Sequence, residues 1–389
     1  MSTMSGTRQA AGSSPIPLTP PGLPEAEGPD GAPLHIALVA PPYYEVPPSG
    51  YGGVEAVLAD LADALVARGH RVTLLGVGRP GTGARFVAVS DTPAAARLGE
   101  PFPEVVHALA VRRAIEALHA ADPVDVIHDH TFAGALNAPA FARLGIPPVI
   151  TVHGSVDSEL ADYYREIGDS AALVAISDRQ RALAPDLNWV ARVHNALRPA
   201  DWPFESAKGD YALFLGRFSP DKGPDLAIRA AHAAGVPLVL AAKCSEPGER
   251  RYLEQTVRPL LGPDDTLVGE ADAGTKRRLL AGARCLLFPV RWEEPFGMVL
   301  IEALACGTPV VALRAGAVPE IVTHGVTGMI ADDPAELPAA LHRVTALDPR
   351  DCRRDAETRF GVERLAAGYE QAYRAVLARR APVGAGGRA

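Results

Sequence analysis

At 389 residues and 40.8 kDa the chain is longer than one hydrophobic core normally serves, and two domains are expected. A hydrophobic content of 48% with 22% charged residues excludes a disordered chain, and no uninterrupted apolar run approaches ~18 residues, which excludes a membrane-spanning helix. Net charge is -8, and from Leu34 to Leu197 there are 12 Arg, no Lys and 18 Asp plus Glu, so nucleic acid and anionic lipid are poor partners for this surface.

Residues 1–33 are rich in Ser, Gly and Pro and lack the apolar core of a signal peptide, so a disordered tail is expected there. A first domain is expected over 34–197. It opens with a strand, "HIALVAPP" (His35 to Pro42), turns through "SGYGG" (Ser49 to Gly53), enters the helix "VEAVLADLADALVARGH" and returns as the strand "RVTLLGV". "GVGRPGTG" (Gly76 to Gly83) reads as a loop, and further strands are expected at "VDVIH" (Val124 to His128), "PPVITVHG" (Pro147 to Gly154) and "AALVAIS" (Ala171 to Ser177). Gly50, Gly52 and Gly53 lack β-carbons where the first strand meets the first helix, so a ligand can approach the backbone. The turn is not a G-x-G-x-x-G, which argues against a nicotinamide dinucleotide. His153 stands at a strand's carboxyl end before Gly154, within reach of a substrate hydroxyl. His128 and His130 have no evident third ligand, and hydrogen-bonding roles are expected for them.

A linker is expected at 198–210, where Pro, Gly and charges interrupt the pattern, and a second domain at 211–361. The cycle restarts at "YALFLGRF" (Tyr211 to Phe218), with the helix "PDLAIRAAHAAG" and the strand "PLVLAAK". Two such alternations predict an α/β protein with parallel sheets flanked by helices and a cleft between the domains. In "GRFSPDKGPD" (Gly216 to Asp225), Arg217 and Lys222 aim two cations at one strand mouth, an arrangement suited to a diphosphate. "RCLLFPV" (Arg284 to Val290) predicts a strand, "PFGMVLIEALACG" a helix with Pro295 in its first turn and Gly307 as its stop, and "TPVVAL" the next strand. The amides of Phe296, Gly297 and Met298 at that helix start would attract an anion, with Glu294 at the same mouth. Glu294 and Glu302, if joined by a helix, lie ~12 Å apart, too far to act together on one glycosidic bond but suited to two ends of an elongated ligand. A terminal helix over 362–380 is expected to return to the first domain, and 381–389 to form a second disordered tail. Cys244, Cys285, Cys306 and Cys352 form no C-x-x-C pair and read as reduced thiols of a cytoplasmic protein.

The segments "YGGVEAVLADLADALVARGHRVTLLG", "VHG", "AISD", "GRFSPDKGPDLAI", "FPVRWEEPFGMVLIEALACGTPVVA", "GAVPEIV" and "GVTG" occur in an order that resembles glycosyltransferase family 4, retaining enzymes of GT-B fold that use nucleotide sugars. The resemblance spans Leu34 to Ala378. It implies two Rossmann-like domains facing a central cleft, with the donor held by the second. It implies that Arg217 and Lys222 hold the donor diphosphate, that Glu302 bonds the ribose, and that Glu294 with the amides of Phe296, Gly297 and Met298 holds the transferred sugar. His153 would contact that sugar, with Gly52 and Gly53 at the diphosphate or acceptor. One departure is "HNAL" (His194 to Leu197), where such enzymes usually carry Asn-Gly before an aliphatic residue.

The expected activity is therefore transfer of a hexose, with retention, from a nucleoside diphosphate sugar to an acceptor hydroxyl. UDP-glucose is the first expectation for the donor, with GDP-mannose and ADP-glucose next, and the acceptor is a small molecule, glycan or lipid-linked hydroxyl. The sequence contains no Asp-x-Asp, so no metal and no other cofactor is expected. A nucleotide-sugar epimerase or hydrolase on the same scaffold, or a non-catalytic sugar-nucleotide-binding protein, would use much of the same donor site.

Overall fold

The structure, a computed structural model, describes residues 31–380 except Tyr51 and Ser158; the tails expected at the two ends fall outside the described residues over 1–30 and 381–389. The elements below belong to one compact unit that begins at Pro33. Its first lobe runs β1 (His35–Val39), α1 (Gly53–Ala67), β2 (Arg71–Val77), β3 (Arg85–Ser90), α2 (Pro101–Ala121), β4 (Val126–Asp129), α3 (Ala138–Arg143), β5 (Pro148–Val152), α4 (Glu159–Ile167), β6 (Ala172–Ala175), α5 (Asp178–Leu183) and β7 (Trp189–Arg192). The second runs β8 (Ala212–Arg217), α6 (Pro224–Ala234), β9 (Leu238–Lys243), α7 (Pro247–Tyr252), β10 (Thr266–Gly269), α8 (Ala273–Gly282), β11 (Cys285–Phe288), α9 (Met298–Ala305), β12 (Val310–Leu313), α10 (Val318–Ile321), β13 (Gly328–Ala331), α11 (Leu337–Arg343) and α12 (Pro349–Arg359), and α13 (Val362–Arg380) follows.

Both sheets are parallel throughout, in the orders β3-β2-β1-β4-β5-β6-β7 and β10-β9-β8-β11-β12-β13. Central strands such as β1 are buried at every position, which is why they read as continuous apolar runs. In each sheet the strand order reverses once, between β1 and β4 and between β8 and β11. The loops leaving neighbouring strands diverge at such a point and open a crevice at the strands' carboxyl ends. The Gly50–Gly53 turn follows β1, His130 follows β4, Arg217 and Lys222 lie at the end of β8 and just beyond it, and Glu294 follows β11. These residues therefore flank the two switch points, whereas His153 follows the neighbouring β5.

Helix α13 crosses back to the first lobe. Leu365, Ala366, Tyr369, Ala372, Tyr373 and Val376 share a core with Leu58, Leu61 and Leu65 of α1 and with Val193. The chain passes between the lobes twice at one place, where Leu197 N donates to Phe360 O at 3.0 Å and Leu197 bridges Gly361. Ala196, the departure noted in "HNAL", is buried at that corner.

Two expectations are corrected. The helix expected from Pro295 begins three residues later, at Met298, because Gly297 takes a left-handed conformation (φ 84°) that turns the chain before the helix can start. Strands β3, β7, β10 and β13 were not foreseen; β3, β7 and β10 are partly exposed and β13 is a four-residue strand opening on Gly328, so none carries a strong apolar pattern.

Candidate active site

The loop after β8 and the loop after β11 are stapled together. Arg291 forks onto both carboxylate oxygens of Asp225 at 2.7 Å, and its backbone N–H donates to Asp221 O at 2.7 Å. This brings Lys222 against Glu294: Lys222 Nζ donates to Glu294 Oε2 at 2.6 Å, and Trp292 Nε1 donates to the same oxygen at 3.0 Å. The ammonium also lies 4.5 Å from the centre of the Trp292 ring. Arg217 stands on the same β8 loop with Asp221 and Glu249 each 3.6 Å from its guanidinium, longer than a hydrogen bond. The two cations are thus held near acids yet keep donors to offer an anion.

Glu294 is fixed by its backbone as well. Ala317 N donates to Glu294 O at 2.9 Å, and a β-carbon on Gly316 would fall 2.3 Å from Glu294 N and O, so the "GAVPEIV" stretch requires glycine there. Beyond Glu294, the amides of Phe296, Gly297 and Met298 donate to no protein acceptor among the described residues. The Phe296 side chain is buried against His194 and Phe360, so only its backbone is offered to a ligand. Four residues into α9, Glu302 is buried and accepts from Lys276 Nζ at 2.8 Å; that ammonium lies 5.2 Å from the Trp202 ring. Lys276, Trp202, Trp292 and Arg291 were not singled out in the sequence, since each acts through a partner distant in the chain or without a local pattern. Composition did hold one signal: the chain has four lysines against 34 arginines, and two of the four lie on the two acids of this unit.

Across the cleft, Gly52 caps α1 at φ 145°, and a β-carbon there would approach Pro48 Cβ to 2.8 Å. A β-carbon on Gly53 would lie 3.8 Å from Met298 Cγ, so the start of α1 and the start of α9 face each other. Glu55 in the first turn of α1 is buried, which pushes its carboxyl up to about 7. Half-buried His153 follows β5, its Nε2 2.9 Å from His130 Nδ1, and it makes no hydrogen bond to the second lobe among the described residues. Burial alone pulls its imidazole down to about 4, so the ring is neutral at physiological pH. His128 bonds Thr151 and Tyr373, in keeping with the hydrogen-bonding role expected.

Two hollows adjoin these residues. One of about 350 Å³ lies at the ends of β9 and β10, lined by Phe218, Cys244, Val268, Gly269 and Glu270. The other, about 520 Å³, lies between the lobes, with Ser49 and Gly50 on one wall and Lys243, Ser245 and Glu246 on the other. Among the described residues no group of three or more His, Cys, Asp or Glu is placed to hold a metal, and no helix is long and apolar enough to cross a membrane.

The fold and the cleft define a GT-B glycosyltransferase. The Glycosyltransferase Family 4 model matches residues 51–201 and the Glycosyl transferases group 1 model residues 202–356, together more than half of the chain. The chain belongs to glycosyltransferase family 4. It is 29% identical to the D-inositol 3-phosphate glycosyltransferase of Acidothermus cellulolyticus, over 82% of this chain and 83% of that one. It is 27% identical to the phosphatidyl-myo-inositol mannosyltransferase of Mycolicibacterium smegmatis, over 79% and 84%. Among solved structures it is similar to AviGT4, a glycosyltransferase involved in avilamycin A biosynthesis, with a TM-score of 0.67, 29% identity and coverage of 89% and 98%.

Proposed function

We propose that the protein moves a hexose, with retention and without a metal, from a nucleoside diphosphate sugar bound by the second lobe to an acceptor hydroxyl presented by the first. The observation that carries this reading is the Lys222–Glu294 contact of 2.6 Å beside three consecutive unpaired amides, with Arg217 on the adjoining loop. Such a site offers cations to a diphosphate and neutral donors plus a carboxylate to a sugar.

In this mechanism Arg217 and Lys222 stabilise the charge that grows on the diphosphate as the bond from the sugar's anomeric carbon to the phosphate oxygen breaks. The acceptor oxygen forms its bond on the face the phosphate leaves, and its proton passes to the departing phosphate oxygen. Glu294 and the amides of Phe296, Gly297 and Met298 hold the sugar hydroxyls, His153 contacts the sugar from the first lobe, Gly52 and Gly53 let the diphosphate or acceptor approach, and Glu302 bonds the ribose. The free thiols Cys244, Cys285, Cys306 and Cys352 support a reducing compartment, the cytoplasm.

UDP-glucose is the donor to test first, then GDP-mannose and ADP-glucose; the activities named for the relatives above differ in sugar and acceptor and do not select among them. A thermal-shift panel of UDP, GDP and ADP tests the reading. The nucleotide that binds the folded state raises its stability by mass action, about 2.7 kcal/mol at a hundredfold excess over Kd. No shift with any of the three would overturn it.

A further inference from the structure

His153, His130 and His128 form a file of hydrogen-bonded rings that ends on α13. His130 Nδ1 is 2.9 Å from His153 Nε2, His130 Nε2 is 3.3 Å from His128 Nδ1, and His128 reaches Tyr373 OH at 2.7 Å and Thr151 Oγ1 at 2.8 Å. Burial disfavours the charged form of all three rings, so each carries one proton on one of its two nitrogens.

The far end of the file decides which nitrogen that is. Tyr373 is fully buried and its hydroxyl has only His128 Nδ1 as partner among the described residues, so the O–H donates there. His128 Nδ1 is therefore bare, and His128 donates through Nε2 to Thr151, whose hydroxyl faces Tyr369 at 2.9 Å. Two bare nitrogens 3.3 Å apart would repel, so His130 carries its proton on Nε2, toward His128. That leaves His130 Nδ1 bare to accept the N–H of His153 Nε2. His153 Nδ1 then has a free lone pair and no protein partner among the described residues.

We propose that His130 is a positioning residue that holds His153 as the Nε2–H tautomer, so that its free Nδ1 accepts from a hydroxyl of the donor sugar and rejects a sugar with a carboxylate at that place. The substrate class is thus a neutral hexose rather than a uronic acid, a conclusion that rests on the proposed contact between His153 and the transferred sugar. An N–H at that position would favour the carboxylate instead, so the direction of one proton sets the preference.

The test is nitrogen-15 NMR of histidine-labelled protein, with transfer rates measured on the nucleotide sugar selected by the shift panel. In the parent, His153 Nε2 is expected to be the protonated nitrogen and Nδ1 the bare one. His130→Phe removes the acceptor: His153 should move toward the Nδ1–H tautomer and kcat/KM fall about tenfold. His130→Gln restores a carboxamide acceptor, and both readouts should return toward the parent. His130→Leu removes the same acceptor with a smaller apolar side chain and gives a second route to the tautomer shift if His130→Phe does not fold. A parent His153 protonated on Nδ1, or a tautomer unmoved by the apolar His130 variant, would overturn the inference. The expected pattern together with full activity in His153→Ala would instead overturn the sugar contact on which the substrate class rests.

Discussion

Lys276 Nζ sits 2.8 Å from Glu302 Oε1, and Lys222 Nζ sits 2.6 Å from Glu294 Oε2. Each acid of the loop-helix unit is thus held by a lysine from another element, Lys276 from α8 and Lys222 from the turn after β8. Each contact sets an opposite charge and a hydrogen-bond donor against a buried acid, and so fixes the direction in which its carboxylate faces a ligand.

Glu302→Ala should weaken binding of the free nucleotide about tenfold, since a hydrogen bond to a charged group is worth ~1.5 to 3 kcal/mol. Calorimetric titration reads this directly. Parent-like affinity would leave Glu302 as the structural partner of Lys276.

Lys222→Ala and Arg217→Ala should each lower the transfer rate roughly a hundredfold to a thousandfold, the usual cost (~2.7 to 4 kcal/mol) of losing one donor aimed at developing charge. Initial rates at saturating donor separate this from weakened binding. Full activity in either variant removes that residue from the diphosphate site.

Glu294→Gln should leave nucleotide affinity nearly unchanged while lowering transfer. The carboxamide keeps the shape beside Trp292 but withdraws the charge that faces Lys222. A variant that binds nucleotide poorly and transfers normally would reverse the roles assigned to the two acids.

These expectations were largely legible before the structure because the motif residues are contiguous. "GRFSPDKG" and "EEPFGMVLIE" each supply several contacts from one loop, and the apolar runs of β1, β5 and β11 mark strands buried on both faces. What could not be read is what acts across the chain. Lys276 meets Glu302 over a separation of 26 residues, Arg291 meets Asp225 over 66, and Tyr373 meets His128 over 245, with no local spacing to announce any of them. The late start of α9 was hidden for a different reason: Pro295 suits a first turn, yet the left-handed Gly297 postpones it.

Transfer should persist after treatment with a chelator, since Arg217, Lys222 and the loop amides are proposed to meet the charge of the diphosphate. Complete loss of activity, restored by magnesium or manganese, would contradict the proposal.

Asp129 gives a pH prediction. Its Oδ1 accepts from Thr131 N at 2.7 Å, its Oδ2 has no partner, and burial pushes the carboxyl up to about 7. The folded state therefore holds this proton more tightly than the unfolded one, so the stability linked to it is complete below about pH 4 and is lost as pH rises through about 7. In Asp129→Asn that loss disappears. Urea denaturation should find the variant gaining on the parent between pH 4 and 8 by on the order of 4 kcal/mol, in the opposite sense to the buried histidines, which both proteins share. A constant difference across that range would show that the carboxyl is not protonated in the fold.

The return of α13 has a consequence for how the protein is made. The first lobe's strands are complete once β7 is synthesised, but Tyr369, Tyr373 and Val376 of its core are translated only after the entire second lobe. Until then α1 and Val193 present an open apolar trough, whereas the second lobe has no such debt to later sequence. The lobe translated second is thus the first able to finish folding, and the nascent chain must keep the first from aggregating until residues 362–380 arrive to seal it.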